Sequence, residues 1–326
     1  MNGRCGTLCS GIILLLAPGI FFGTPFTGSA QVRDSNSVLI FVSDTQSPLT
    51  FERLYPNYSE NERATQIILG DILDEKNVEA VVHAGDITGY GSSKKEWAPL
   101  VAFLDSLRAR KIPFLAAKGN HDYYFMAHAA MKNFAEYVPD SPTDFSLHKF
   151  APVAIVLLNS NFSHMSQKEL YREKKWYPLA LDSCESDTSI HFIITVDHHP
   201  PFTNSAVVSG SKKVRKYFLP YFYRSDKSVL FVSGHAHRFE HFKKDGKDFI
   251  VIGGGGGVFQ NEKKNPSEKD LYTSADHGEF FHYVRCTVDE DSLTFNVMQV
   301  GPERGRLKWK YAFVIRKNPD LRRGSR

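Results

Sequence analysis

Apolar and polar positions alternate along this chain in blocks rather than residue by residue. Seven apolar runs stand out, and most of them end in the same way. Val38 to Val42 runs into Ser43-Asp44, Val78 to His83 into Gly85-Asp86, and Ile112 to Ala117 into Gly119-Asn120-His121. Val153 to Leu158 leads to Asn159, Ile190 to Val196 to Asp197-His198-His199, Val229 to Val232 to Gly234-His235, and Phe249 to Ile252 to the glycines Gly253 to Gly257. The runs are rich in β-branched and aromatic residues and lack the two-residue alternation of a half-exposed strand. They therefore predict strands covered on both faces. Helical spacing of apolar residues marks Glu60 to Glu75 and Lys94 to Arg110, the second with Trp97, Leu100, Val101, Leu104 and Leu107 on one face. Strands alternating with helices predict an α/β fold. After Gly257 the pattern changes: Phe280 to Val288, Thr294 to Val300 and Lys308 to Arg316 predict successive antiparallel strands, with Gly301 to Gly305 as the last turn.

Composition changes this picture little. The 326 residues are 42% hydrophobic, 23% charged and 13% aromatic, which places the chain among globular proteins and away from disordered ones. The formal charge of +4 is small for the length, and no strong basic tract flanks the strand-end groups, so no specific nucleic-acid binding is expected. The first 30 residues differ from the rest. Arg4 precedes an apolar stretch broken by Pro18 and Gly19, and Ser29-Ala30 offers small residues for cleavage. This predicts a secretory signal peptide over 1–30 and a secreted or periplasmic protein, with an uncleaved anchor as the alternative. The remainder has no apolar stretch long enough for a membrane span. It is expected to form a single domain over 31–318, followed by a disordered basic tail over 319–326. Cys184 and Cys286 remain after cleavage, either paired or as two buried thiols.

The strand ends carry the candidate chemistry. Ligands of open α/β sheets bind outside the carboxyl ends of strands. Six such ends here bear Asp44, Asp86, Asn120-His121, Asn159, His198-His199 and His235-Ala236-His237. Carboxylate, amide oxygen and imidazole suit divalent transition metals, and there are groups enough for two ions. A pair of ions about 3.5–4 Å apart clamps an in-line displacement at phosphorus. No G-x-S-x-G elbow, P-loop or dinucleotide-binding glycine motif offers a competing chemistry. The Gly253 to Gly257 run is read as a tight turn that lets backbone approach the site, in preference to a phosphate loop.

In this order the blocks Asp44-Thr45-Gln46, Gly85-Asp86, Gly119-Asn120-His121-Asp122, His198-His199-Pro200 and Gly234-His235-Ala236-His237 resemble the calcineurin-like metallophosphoesterase superfamily. The resemblance implies a two-sheet β-sandwich flanked by helices in four layers, with the site at the strand ends. It implies that Asp44 and His237 hold a first metal ion, that Asp86 bridges, and that Asn120, His198 and His235 hold a second. His121 is implied as the catalytic group that stabilises the transition state or protonates the leaving oxygen, with Asp122 orienting it. Gln46 departs from the common Asp-x-His block and is a weaker, neutral candidate ligand. The ions expected are Mn, Fe or Zn.

The function so implied is hydrolysis of small phosphomonoesters or phosphodiesters by in-line attack of metal-bound hydroxide. The alternative, resting on Gln46, is a binding or scaffold protein that kept the fold and lost the chemistry. His199, Asn159 and Tyr90 are candidate substrate-binding residues. Lys118 faces either the substrate phosphate or solvent. Phe125 to Asp144 and Phe202 to Ser211 are expected to be loops that wall the site.

Overall fold

The first strand, β1 (Ser37–Val42), divides its side chains between two layers. Leu39 and Phe41 enter one core, while Val38, Ile40 and Val42 enter another. A strand that buries both faces shows an unbroken apolar run, which is why the sequence lacks alternation here. The computed structural model describes residues 37–48, 58–141, 143–301 and 307–318, all within one compact unit, Val32–Arg326. The expected signal segment, the basic tail and most of the turn after Gly301 lie outside the described residues. No helix among the described residues is long and apolar enough to cross a membrane.

Two six-stranded sheets build the fold. In the first, β1 pairs in parallel with β2 (Val78–His83), which pairs in parallel with β3 (Phe114–Ala116). On its other edge β1 meets β10 (His282–Val288), then β11 (Ser292–Val300) and β12 (Leu307–Arg316), all antiparallel as the sequence predicts. The second sheet holds β4 (Ser146–Phe150), β5 (Val153–Leu157), β6 (Phe192–Val196), β7 (Ser228–Ser233), β8 (Phe239–Lys244) and β9 (Lys247–Ile252), in the order β4-β5-β6-β7-β9-β8. Its central strands β5, β6, β7 and β9 run parallel. The antiparallel edges β4 and β8 do not figure among the predicted strands.

The inner faces of the two sheets share one core, which joins Leu39, Phe41 and Val82 to Ile194, Val232 and Ile250. The outer face of the first sheet packs on α1 (Tyr58–Asp74), α2 (Lys94–Ala109) and α3 (Ala127–Tyr137), through Ile68, Ile72, Trp97, Leu104 and Phe134. The outer face of the second packs on α4 (Gln167–Glu185), α5 (Lys212–Tyr217) and α6 (Leu219–Arg224), through Tyr177, Leu181, Phe218 and Phe222. Helix, sheet, sheet and helix make the four layers that the resemblance implies.

Two expectations need correction. The stretch from Phe125 to Asp144 is not all loop, because α3 occupies its middle and buries Ala130 and Phe134. Lys118 neither reaches solvent nor stands free for substrate. It is buried, pairs with Asp144 and lies over the Phe134 ring at 5.4 Å. Of the two readings open for the cysteines, the second holds: Cys184, on α4, and Cys286, on β10, are separate buried thiols, and burial pushes both up, Cys184 to about 11, so neither is a reactive thiolate at neutral pH.

At the start of α4, the Ser166 hydroxyl accepts from the Glu169 amide (3.2 Å) while the Glu169 carboxylate accepts from the Ser166 amide (2.6 Å). This reciprocal box satisfies two donors that the first turn would otherwise orphan. Ser166→Ala is expected to cost about 1 kcal/mol, read as a lower denaturation midpoint with an unchanged slope.

Candidate dinuclear metal site

All the polar strand ends of the parallel strands meet at one edge of the sandwich. Backbone geometry there is unusual. Asp44, Asp86 and His235 all adopt positive φ, at 56°, 57° and 67°. Left-handed backbone in non-glycine residues stores strain that the surrounding structure must hold. Here the holding is visible. The Asp44 carboxylate accepts from the His235 amide at 3.0 Å through both oxygens, so the loops after β1 and β7 fix each other. Gly119 and Asp86 lie so close that a Cβ on Gly119 would stand 2.1 Å from Asp86 Oδ1.

Asp122 supplies the tightest of these restraints. Its Oδ2 accepts from the amides of Asp86 (3.0 Å) and Gly119 (2.8 Å), and its Oδ1 from those of Ile87 (3.0 Å) and Thr88 (3.4 Å). Burial and the neighbouring Asp86 carboxylate push Asp122 up to about 7, against the pull of those amides. The expected pairing of Asp122 with His121 is therefore corrected. The carboxylate is spent on backbone donors, and the His121 ring instead sets Nδ1 against the Gly89 carbonyl at 3.2 Å. Asp122 shapes the loop that carries Asp86 and does not touch the reacting groups.

The ligand candidates fall into two clusters that Asp86 joins. His198 Nδ1 donates to the Ala84 carbonyl at 2.9 Å. Its Nε2 then faces Asp86 Oδ2 and Asn120 Oδ1, each at 3.2 Å. Asn120 is oriented by Tyr124, whose hydroxyl accepts from Asn120 Nδ2 at 3.2 Å and so leaves Oδ1 turned inward. In the other cluster His237 Nδ1 donates to the Val258 carbonyl at 2.7 Å, and Nε2 faces Asp44 Oδ1 at 3.4 Å. The Gln46 amide, oriented by its hydrogen bonds, donates from nitrogen to the carbonyls of Asp44 (3.1 Å) and Asp86 (3.0 Å). Its oxygen then lies 3.2 Å from His237 Nε2. Asp44, Asp86 and His237 bring ligand atoms within 4.8 Å of one another, as do His198, His199 and His235.

In both places lone pairs converge with no hydrogen between them when the imidazoles are neutral. Such an arrangement repels unless a proton or a cation occupies the centre. Asp86 Oδ2, buried, has no hydrogen-bond partner among the described residues. Without a metal, protons fill the role. Burial opposes charge on His198, but the Asp86 carboxylate raises it to about 10, and Asp44 raises His237 in the same way. Burial likewise opposes ionisation of Asp44 and Asp86, yet the facing histidines hold both below the usual carboxylate range. These donors fit divalent metal ions, with the second nitrogens of His198 and His237 fixed by backbone carbonyls, as is usual for metal-binding imidazoles.

His199 stands apart from the ligands by its tautomer. The Ser160 hydroxyl accepts from the amides of His198 (3.2 Å) and His199 (2.9 Å), so its own proton goes to His199 Nδ1 at 2.9 Å. Nε2 of His199 then carries hydrogen and is a donor. Burial together with His198 and His235 keeps that ring uncharged at neutral pH. Asn159 is corrected as a substrate contact. Its side chain is buried, donates to the Tyr123 hydroxyl at 3.0 Å and accepts from Asn161. Tyr90 sits at the rim, its ring 4.9 Å from that of Phe125. The glycine run behaves as a close-approach turn. The amides of Gly255 and Gly257 donate to Ser43 and Asp44 carbonyls at 3.0 Å, and a Cβ on Gly257 would stand 2.4 Å from the His237 ring.

Some functional groups escape the sequence reading. Tyr124 orients Asn120 and lays its ring 4.3 Å from His121; the only signal is its place four residues after Asn120, one turn on. His83 matches no block, yet its Nδ1 accepts from the Gly85 amide (3.1 Å) and its Nε2 meets Thr45 Oγ1 (3.0 Å), tying the first two blocks together. Burial lowers His83 to about 3 and keeps it neutral for that purpose.

The sequence model of the calcineurin-like phosphoesterases matches residues 38–239, and the chain belongs to that family. Solved structures share the fold at low identity. GAP50, described as the anchor in the inner membrane complex of Plasmodium, is 15% identical with a TM-score of 0.66, over 87% of this chain and 90% of that one. A purple acid phosphatase from yellow lupin seeds is 14% identical with a TM-score of 0.64, over 89% of this chain and 55% of that one. A dimetal phosphatase from Danio rerio is 14% identical with a TM-score of 0.57, over 87% of this chain and 100% of that one. None of the curated protein sequences matches.

Replacing the Gln46 amide by imidazole supplies a stronger ligand to the Asp44–His237 cluster. Gln46→His is expected to lower the dissociation constant of one ion and leave the other unchanged, measured by calorimetry with Mn²⁺ or Zn²⁺. No change in either would remove Gln46 from the ligand set.

Proposed function

We propose that this protein is a dinuclear metal-dependent hydrolase of small phosphomonoesters or phosphodiesters. The observation that carries the proposal is the double convergence of bare acceptor atoms on Asp86 at one sheet edge. A set of this composition, carboxylate with imidazole and amide oxygen, suits Mn, Fe or Zn. When bound, such ions supply Lewis acidity at a phosphoryl oxygen and a nucleophile drawn from water at neutral pH.

The chain's own residues do the rest. Asp44, Gln46 and His237 would hold one ion and Asn120, His198 and His235 the other, with Asp86 between the two clusters. His121 directs Nε2 toward the shared carboxylate, 3.9 Å from Asp86 Oδ2, where a protonated ring delivers hydrogen to the departing oxygen. His199 presents an N–H beside the rings of His198 and His235, at 5.0 and 4.5 Å between centroids. It is placed to bind a phosphate oxygen.

The second reading is a fold retained for binding alone, favoured by Gln46 in the first block and by the likeness to the Plasmodium anchor. Against it stands the completeness of the remaining ligand set and of the restraints that hold it. Hydrolysis of a chromogenic phosphomonoester and of a phosphodiester, across Mn²⁺, Fe²⁺, Zn²⁺ and a chelator, separates the two. Metal-dependent turnover of either ester is expected, and its absence with two ions bound would favour the binding protein. His121→Ala is expected to lose about 10²–10⁴-fold in rate with metal content unchanged. Asp86→Asn is expected to lose metal and turnover together while the far-ultraviolet circular dichroism stays that of the parent.

A further inference from the structure

Phe125 is misplaced by every criterion of folding. It is 81% exposed, the highest value among the large hydrophobic side chains of the described residues. Its backbone lies at φ 74°, a conformation that bulky residues avoid. Met126 beside it is 65% exposed. A side chain that is strained and left in water adds nothing to the core, and strain of this kind collects at ligand-binding positions.

Its neighbours say which ligand. The Phe125 ring meets the Tyr90 ring edge-on, at 4.9 Å and 68°. Tyr90 follows Gly89, whose carbonyl faces His121 Nδ1 at 3.2 Å. On the other side Tyr124, the residue before Phe125, places its ring 4.3 Å from the His121 ring and its hydroxyl on Asn120. Two ring pairs, His121 with Tyr124 and Tyr90 with Phe125, are thus linked through the chain neighbours Tyr124-Phe125 and Gly89-Tyr90 beside the His121 imidazole. We propose that Tyr90, Tyr124 and Phe125 form a subsite for an aromatic leaving group, so that the preferred substrates are phosphoesters of planar ring alcohols rather than of small alkyl ones. Ring edges and faces attract a planar guest in offset or edge-on geometry, and rings already in place do so without ordering a flexible loop first. The inference rests on the phosphoesterase reading of the site.

The test uses the full chain loaded with Mn²⁺ and two phosphonates that are not hydrolysed, phenylphosphonate and methylphosphonate, titrated by calorimetry. The parent is expected to bind the phenyl compound about fivefold more tightly, the scale of one aromatic pair. Phe125→Ala and Phe125→Gly are each expected to erase most of that preference. Glycine adopts this φ without strain, so the unfolding midpoint of Phe125→Gly should equal or exceed that of the parent, which excludes misfolding as the cause. Equal binding of the two compounds by the parent, or a preference that persists in both variants, overturns the subsite and leaves the phosphoesterase reading standing. Failure of both compounds to bind the loaded protein overturns the two together.

Discussion

Taking a carboxylate out of water costs several kcal/mol unless hydrogen bonds or an opposite charge compensate. Asp86 is wholly buried. One of its oxygens accepts from the His121 amide at 2.8 Å, while the other faces His198 with no hydrogen-bond partner among the described residues. No folding need explains such a group. A cation on that open oxygen would remove the penalty and would give the two candidate clusters a common centre. Without one, His198 and His237 must take up protons against burial to balance Asp86 and Asp44.

The scaffold spends structure to keep Asp86 there. Asp122 gathers four backbone amides from the loops that follow β2 and β3, and Asp44 gathers the His235 amide from the loop after β7. Three site residues sit at positive φ, and glycines stand where any side chain would strike the candidate ligands Asp44, Asp86, His198 and His237. Those loops hang from parallel strands packed on both faces, which gives the strained turns a rigid frame. Stability and chemistry therefore meet at one edge of the sandwich. His198 and His237 are aimed by the backbone carbonyls of Ala84 and Val258, which a substitution of side chains cannot alter.

The sandwich strands were legible because burial on both faces leaves no alternation, and the candidate ligands were legible because each follows such a run. β4 and β8 were not. β4, Ser146–Phe150, is a half-buried edge, and β8, Phe239–Lys244, buries Glu240 and His241 among its aromatics. Helix α4 escaped because its buried stripe of Tyr177, Ala180, Leu181 and Cys184 begins with the carboxylate Glu173 and is set among many charged residues. Asp122 was assigned to the wrong partner, since adjacency to His121 in sequence says nothing about where a carboxylate turns in a tight helical turn. Ser160, Tyr124 and His83 act through contacts with residues remote in sequence or through a single hydroxyl, and neither leaves a periodic mark.

That two ions share Asp86 is the claim on which this account stands. Electron paramagnetic resonance of the protein carrying two equivalents of Mn²⁺ tests it most directly, because two ions about 3.5–4 Å apart across one carboxylate couple magnetically. A multiline spectrum of a spin-coupled pair is the result expected. Two equivalents bound with only the six-line signal of isolated Mn²⁺, or saturation at one equivalent, would contradict it.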